Sequence, residues 1–94
     1  MRVRWLRRAL RNLEEEAEYI ARDKPDAAAR TVERIAASVE RLATYPASGR
    51  IGRVPGTREL VVSGTQYIVP YRIRDGTIEI LRIFHAARKW PEKF

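Results

Sequence analysis

Hydrophobic and polar positions along the chain switch between two periods, and the switches mark its elements. Met1 to Trp5 alternates, with Val3 and Trp5 on one side and Arg2 and Arg4 on the other, as a half-buried strand does. From Leu6 the apolar residues Leu6, Leu10, Leu13, Ala17 and Ile20 fall on one stripe of a helix that reaches about Arg22. Asp23-Lys24-Pro25-Asp26 interrupts it. Asp23 is read as the N-cap of a second helix, and Pro25 suits a first turn, where its missing N–H would have had no intrahelical partner. Ala28, Val32, Ile35, Val39 and Leu42 repeat the helical spacing, so the two helices form an antiparallel hairpin. Tyr45-Pro46 closes it, because a proline disfavours a helical residue before it.

Ala47 to Thr57 contains Gly49, Gly52, Pro55 and Gly56 and reads as a loop that presents Arg50 and Arg53 to solvent. Three strands follow: Arg58 to Val62, Gln66 to Ile73 and Thr77 to about Phe84. Ser63-Gly64-Thr65 joins the first two, and Asp75-Gly76 is a strong hairpin signal between the last two. On the middle strand Tyr67, Val69, Tyr71 and Ile73 share a face opposite Ile68, Pro70 and Arg72. Pro70 has no N–H to give, which predicts an irregularity in its ladder. On the last strand Ile78, Ile80, Arg82 and Phe84 oppose Glu79, Leu81, Ile83 and His85. Both of those faces are partly apolar, so parity leaves open which one meets the helices. The pattern gives an α+β fold in one domain spanning residues 1–94, an N-terminal strand and αα-hairpin packed on a small, mostly antiparallel sheet in the order β-α-α-β-β-β.

Composition narrows the chemistry. A chain of 94 residues supports one modest core. With no cysteine there is no disulfide framework, thiol nucleophile or Cys-based zinc site, and a single histidine argues against any transition-metal centre. Glycine-rich phosphate loops and the G-x-S-x-G elbow are absent, and no cofactor is expected. No run of 18 apolar residues occurs, so a cytoplasmic protein without a membrane partner is expected. A formal net charge of +7 points to a polyanionic partner, whether nucleic acid, a nucleoprotein or an acidic protein.

Two functional readings follow from the residues themselves. RNA cleavage needs an acid or base and a phosphate clamp, which His85 with Arg82 and Arg88 could supply. His85 is equally well read as a strand-end residue, and the tyrosines as core, since they share a face with Val69 and Ile73. A binding surface built on the arginines needs only their forks, each able to hold two oxygens of an anion. A small basic nucleic-acid-binding domain would satisfy the charge alone.

The ordered set of a strand, two helices, a loop with Gly49-Arg50, then R-E-L, Y-I-V-x-Y-R, D-G, I-E-I-L-R-I-x-H and A-R-x-W-P resembles the RelE/ParE superfamily of bacterial type II toxins from Trp5 to Pro91. The resemblance implies a toxin neutralised by an acidic antitoxin in a hetero-oligomer. It also offers two targets on one fold, ribosome-bound mRNA for the RelE branch and DNA gyrase for the ParE branch. RelE-type nucleases place a basic residue directly after the aromatic that opens the middle strand; here that position is Ile68. The pattern Y-x-x-x-Y-R with I-L-R-x-x-H is similar to ParE. It implies target contacts at Arg58, Arg72, Arg82, His85, Arg88 and Trp90, and antitoxin contacts at Tyr19, Ile20, Arg50 and Arg53, the last two alternatively meeting DNA held by the target. The alternative is a ribosome-dependent mRNA endonuclease using His85, Arg82 and Arg88.

Overall fold

The computed structural model describes residues 1–88, Trp90 and Phe94; Pro91, which closes the motif set above, lies outside the described residues. Strand β1 (Arg2–Trp5) leads into helices α1 (Arg7–Ala21) and α2 (Pro25–Arg41). Strands β2 (Arg50–Ile51), β3 (Arg58–Val61), β4 (Tyr67–Arg74), β5 (Thr77–Ile80) and β6 (Phe84–His85) follow. The sheet order is β1-β5-β4-β3-β2, and β6 pairs with β4. All pairings are antiparallel except β1 with β5, whose parallel join is made possible by the intervening helical crossover. The α+β architecture expected from the sequence is the one observed.

One face of the sheet buries the hairpin. Ile35, Val39 and Leu42 from α2 and its end pack with Ala9 of α1 against Tyr67, Val69, Tyr71, Ile78 and Ile80. The stripe on α1 differs from its reading: Leu10 is exposed and Ala9 is fully buried, so the core-facing line runs Ala9, Leu13, Ile20. A small residue here lets α1 approach the sheet closely. The N-cap of α2 is Lys24, not Asp23, and no side chain caps it. Pro25 at the first turn, with Asp26 beside it, sets the start instead.

The expected loop 47–57 contains the two-residue strand β2, whose Arg50 lies opposite Glu59 and Ile51 opposite Arg58. The loop is fixed from below by Tyr71, whose hydroxyl donates to the Pro46 carbonyl at 2.8 Å and accepts from the Gly49 N–H at 2.9 Å. A Cβ on Gly49 would stand 2.6 Å from that phenol, so the position has room only for glycine. Asp75 and Gly76, with φ of 51° and 72°, form the tight hairpin turn between β4 and β5, the conformation for which Asp-Gly is suited.

The last expected strand is interrupted, and Pro70 explains where. Leu81 N–H donates to the Pro70 carbonyl at 3.0 Å, but Pro70 cannot return the bond that an antiparallel pair normally exchanges. Before this point Tyr71 faces Ile80; beyond it Ile68 faces Phe84 and Tyr67 faces His85. One extra residue has therefore been inserted opposite β4, a bulge that reverses the alternation of the strand. Ile83 consequently joins the core, and His85 comes to the same face as Tyr67. The parity grouping of Arg82 and Phe84 with Ile78 and Ile80 is thus corrected.

Candidate functional site

The sheet leaves its second face without helices, and the alternation of each strand decides what stands there. Register aligns Arg2, Thr77 and Arg74 in one rung and Arg4, Glu79 and Arg72 in the next. Pro70 and Glu59 continue the same face onto β3, with Arg50 beyond them on β2. Arg72 Nε donates to Glu79 Oε1 at 2.6 Å, and Arg74 Nε lies 3.8 Å from the same oxygen. Hydrogen bonding from Arg72 leads burial in setting the Glu79 carboxyl below its ordinary range.

Glu59 is the second organising carboxylate, 2% exposed in the middle of the sheet. Its Oε1 accepts from Arg50 Nε and Nη2 at 3.2 and 3.0 Å, and its Oε2 from Arg53 backbone N and Nε at 2.9 and 3.1 Å. Burial pushes this carboxyl up, and the combined bonds from Arg53 and Arg50 outweigh it, leaving the group below its ordinary value. Arg53 lies over the Trp90 ring at 3.6 Å, Trp90 packs on Phe84 with centroids 4.6 Å apart, and Arg82 covers Phe84 at 4.8 Å. Arg82 Nε also donates to Asn12 Oδ1 at 2.8 Å, and the same oxygen accepts from Ile83 N–H. Burial, then the neighbouring Arg8 charge, lower the Arg82 pKa.

His85 belongs to a different corner. Its ring meets Tyr67 edge-on with centroids 5.5 Å apart, and its Nδ1 accepts from Ala87 N–H at 3.2 Å, placing the proton of the neutral ring on Nε2. Tyr67 donates to Glu16 Oε1 at 2.9 Å, and Arg88 Nη1 donates to Glu16 Oε2 at 2.6 Å. Burial, followed by the bond to Glu16, pushes the Tyr67 phenol up to about 12, so it is a proton donor and not a base. The same carboxylate raises Arg88. Arg88 reaches over Tyr19, which is 60% exposed, whereas Ile20 packs against the core.

The residues expected to share a site are thus divided. Arg53, Arg82 and Trp90 gather around Phe84, while His85, Arg88 and Tyr19 gather around Glu16. Arg72 stands on the open face, and Arg58 turns its Nη1 to the Ala47 and Gly49 carbonyls at 3.3 and 2.8 Å. Sequence reasoning missed the groups that hold the arginines, namely Glu16, Asn12, Glu59 and Glu79. The Glu79 pairing was within reach, since a two-residue turn at Asp75-Gly76 fixes Arg72 opposite Glu79. Among the described residues no cluster of three or more His, Asp or Glu side chains could hold a metal ion, and no helix is long and apolar enough to cross a membrane.

A helical hairpin on one face of a small sheet, with arginines and an aromatic tail on the other, is the frame of the ParE/RelE class of small toxins. The model of the ParE toxin of the type II toxin-antitoxin system parDE matches residues 3–90, and the chain belongs to that family. It is 56% identical over 92 residues to a candidate toxin of Sinorhizobium fredii, Y4kP, covering 97% of this chain and 94% of the relative. It is 41% identical over 86 residues to toxin RelE2 of Caulobacter vibrioides, covering 92% and 96% respectively. The fold superposes on a chain from the chromosomal ParDE toxin-antitoxin system of P. aeruginosa with a TM-score of 0.83, at 28% identity, covering 90% of this chain and 95% of that one.

Proposed function

We propose that this ParE-family toxin inhibits growth by binding DNA gyrase, without cutting RNA, and that an acidic cognate antitoxin neutralises it in the cytoplasm. The observation that carries the reading is the separation of Arg82 from His85 and Arg88, with each candidate already engaged within the fold. Arg82 is engaged by Asn12, Arg88 by Glu16, and the Nδ1 of His85 by a backbone amide. The position where a nuclease of the RelE type would carry its phosphate-holding base is Ile68, 7% exposed. Transition-state stabilisation requires donors converging on one developing charge, and Arg82 stands apart from the corner that His85 and Arg88 share.

Trp90 fits the role of anchor in the target contact. It is flanked by Arg53 and Phe84, and its indole N–H is buried without an acceptor among the described residues. Arg72, Arg82, His85 and Arg88 complete the proposed contact set, with Arg58 contributing through the loop it holds. For the antitoxin, Tyr19 is the exposed aromatic on the helical side, and Ile20, next to it in the chain, packs against the core. Beside them runs an apolar groove lined by Ala17, Ala21, Ala28 and Val32. Arg50 and Arg53 offer charge to the same acidic partner.

The relative named RelE2 gives the endonuclease reading its one support. A single experiment separates the two. Purified toxin is added to gyrase supercoiling reactions and, in parallel, to a translation extract programmed with a defined mRNA. Loss of supercoiling with intact mRNA is expected. Codon-site cuts that disappear in His85→Ala would overturn the proposal.

A further inference from the structure

The charge of this chain is segregated. Residues 7–41, the helical hairpin, carry eight basic and eight acidic side chains, so the whole net charge of +7 resides in the strands, loops and tail. Much of it is displayed on the helix-free face of the sheet. There Arg2, Arg4, Arg50, Arg53, Arg72 and Arg74 stand against Glu59, Glu79 and the turn residue Asp75, an excess of three positive charges.

The two glutamates do more than offset charge. Arg53 and Arg72 each donate Nε to a carboxylate and make no Nη hydrogen bond among the described residues, while Arg74 lies 3.8 Å from Glu79. Part of the side-chain entropy of Arg53 and Arg72 is therefore spent on folding, before any ligand arrives. Arg2, Arg4 and Arg74 border an open cleft of about 630 Å³ beside Thr77 and Glu79. Arg2 and Arg4 make no side-chain hydrogen bond or ion pair among the described residues.

We propose that this face also grips the phosphodiester backbone of duplex DNA, led by Arg2, Arg4 and Arg74, which the proposed protein contacts do not use. Three features favour that ligand. Arg2 and Arg4, two residues apart on a strand, are spaced about 6.6 Å along it, close to the separation of neighbouring phosphates on one strand of a duplex. The rungs Arg2-Thr77-Arg74 and Arg4-Glu79-Arg72 contain no apolar side chain, whereas an acidic polypeptide held for affinity would need apolar anchors in the contact. The rungs likewise offer no aromatic ring on which unpaired bases could stack, so a single strand gains nothing there. The contact is to backbone alone, and it carries no base sequence information.

The test uses full-length toxin without gyrase. Anisotropy of a labelled 20-base-pair duplex of arbitrary sequence is followed against salt concentration, for wild type, R2Q/R4Q, R74Q and a reference pair R22Q/R30Q on the hairpin. R2Q/R4Q removes no hydrogen bond or ion pair of the described fold, and R74Q gives an independent variant on a second strand. If two phosphate contacts are lost, affinity at 0.15 M salt falls about 30-fold and the slope of log K against log salt drops by about 1.8, with half that slope change in R74Q. R22Q/R30Q is expected to stay within about threefold of wild type, a level set by diffuse charge alone. Equal losses in the reference pair, tighter binding of single-stranded RNA than of duplex, or competition by polyglutamate as effective as by DNA would each overturn the assignment. Because gyrase is absent and the variants leave Arg72, the one residue of these rungs in the proposed target contact, unchanged, failure here leaves the proposed target untouched.

Discussion

Replacing Tyr71 by phenylalanine isolates one oxygen atom on which the placement of the arginine loop depends. The ring is fully buried between sheet and hairpin, and Phe keeps its volume, so no cavity forms. What is lost is the pair of hydrogen bonds to the Pro46 carbonyl and from the Gly49 N–H. Gly49 is buried, so its amide is left without a partner, and a stranded buried donor costs about 1–3 kcal/mol where an ordinary hydrogen bond is worth about 1. Together the two losses amount to about 2–4 kcal/mol. For a domain of this size that lowers Tm by roughly 10–20 °C. Urea titration followed by tryptophan fluorescence would report the loss as a shifted midpoint with unchanged slope. Hydrogen exchange at the Gly49 amide should accelerate by more than the global destabilisation explains, because the loop loosens locally as well. A loss under about 0.5 kcal/mol, or an unaffected Gly49 amide, would refute the idea that this hydroxyl holds the loop.

Glu59→Gln removes a charge that two guanidiniums surround. It is expected to cost about 1–3 kcal/mol by calorimetry, at the lower end because both arginines are about half exposed. The folded-state pKa of Glu59 is depressed, so its contribution is present above the ordinary carboxylate range and disappears as pH falls through the folded value. The Tm of wild type should therefore decline more steeply than that of Glu59→Gln on acidification from pH 5 to 3. Tyr67 has the opposite sign. Its phenol is raised from the usual 10 to about 12, so the stability it contributes is intact below pH 10 and lost as pH climbs to 12. Absorbance titration near 295 nm should show a late-ionising phenol near 12 that vanishes in Tyr67→Phe, and an unchanged late phase would refute its assignment to Tyr67.

The helical hairpin was legible because its spacing repeats over many residues and Pro25 and Pro46 punctuate it. The hairpin at Asp75-Gly76 was legible because few dipeptides favour two successive positive φ values. Leu10 and Ala9 were exchanged because a helix stripe can pivot by one residue when a small side chain permits closer packing. The strand break escaped for a different reason. Pro70 announced an irregularity, but the extra residue was accommodated on the partner strand, where nothing local signals it. The division of the candidate site was hidden for the same cause, since it depends on Asn12 and Glu16, about 70 residues away in sequence from the arginines they hold.

The residue inserted opposite Pro70 gives the end of the chain a facing of its own. Upstream of it, sheet parity is dictated by the hairpin turn; downstream, every side chain from Ile83 onward is set half a period out of phase. Loss of a single codon there would leave the core strands β3, β4 and β5 paired as they are and yet exchange Phe84 with His85, turning the aromatic patch to the helices and the histidine outward. Diversification of partner recognition in such a toxin therefore needs no change of the scaffold: a one-residue indel beside a proline is enough to show a neutralising or targeted protein a different surface.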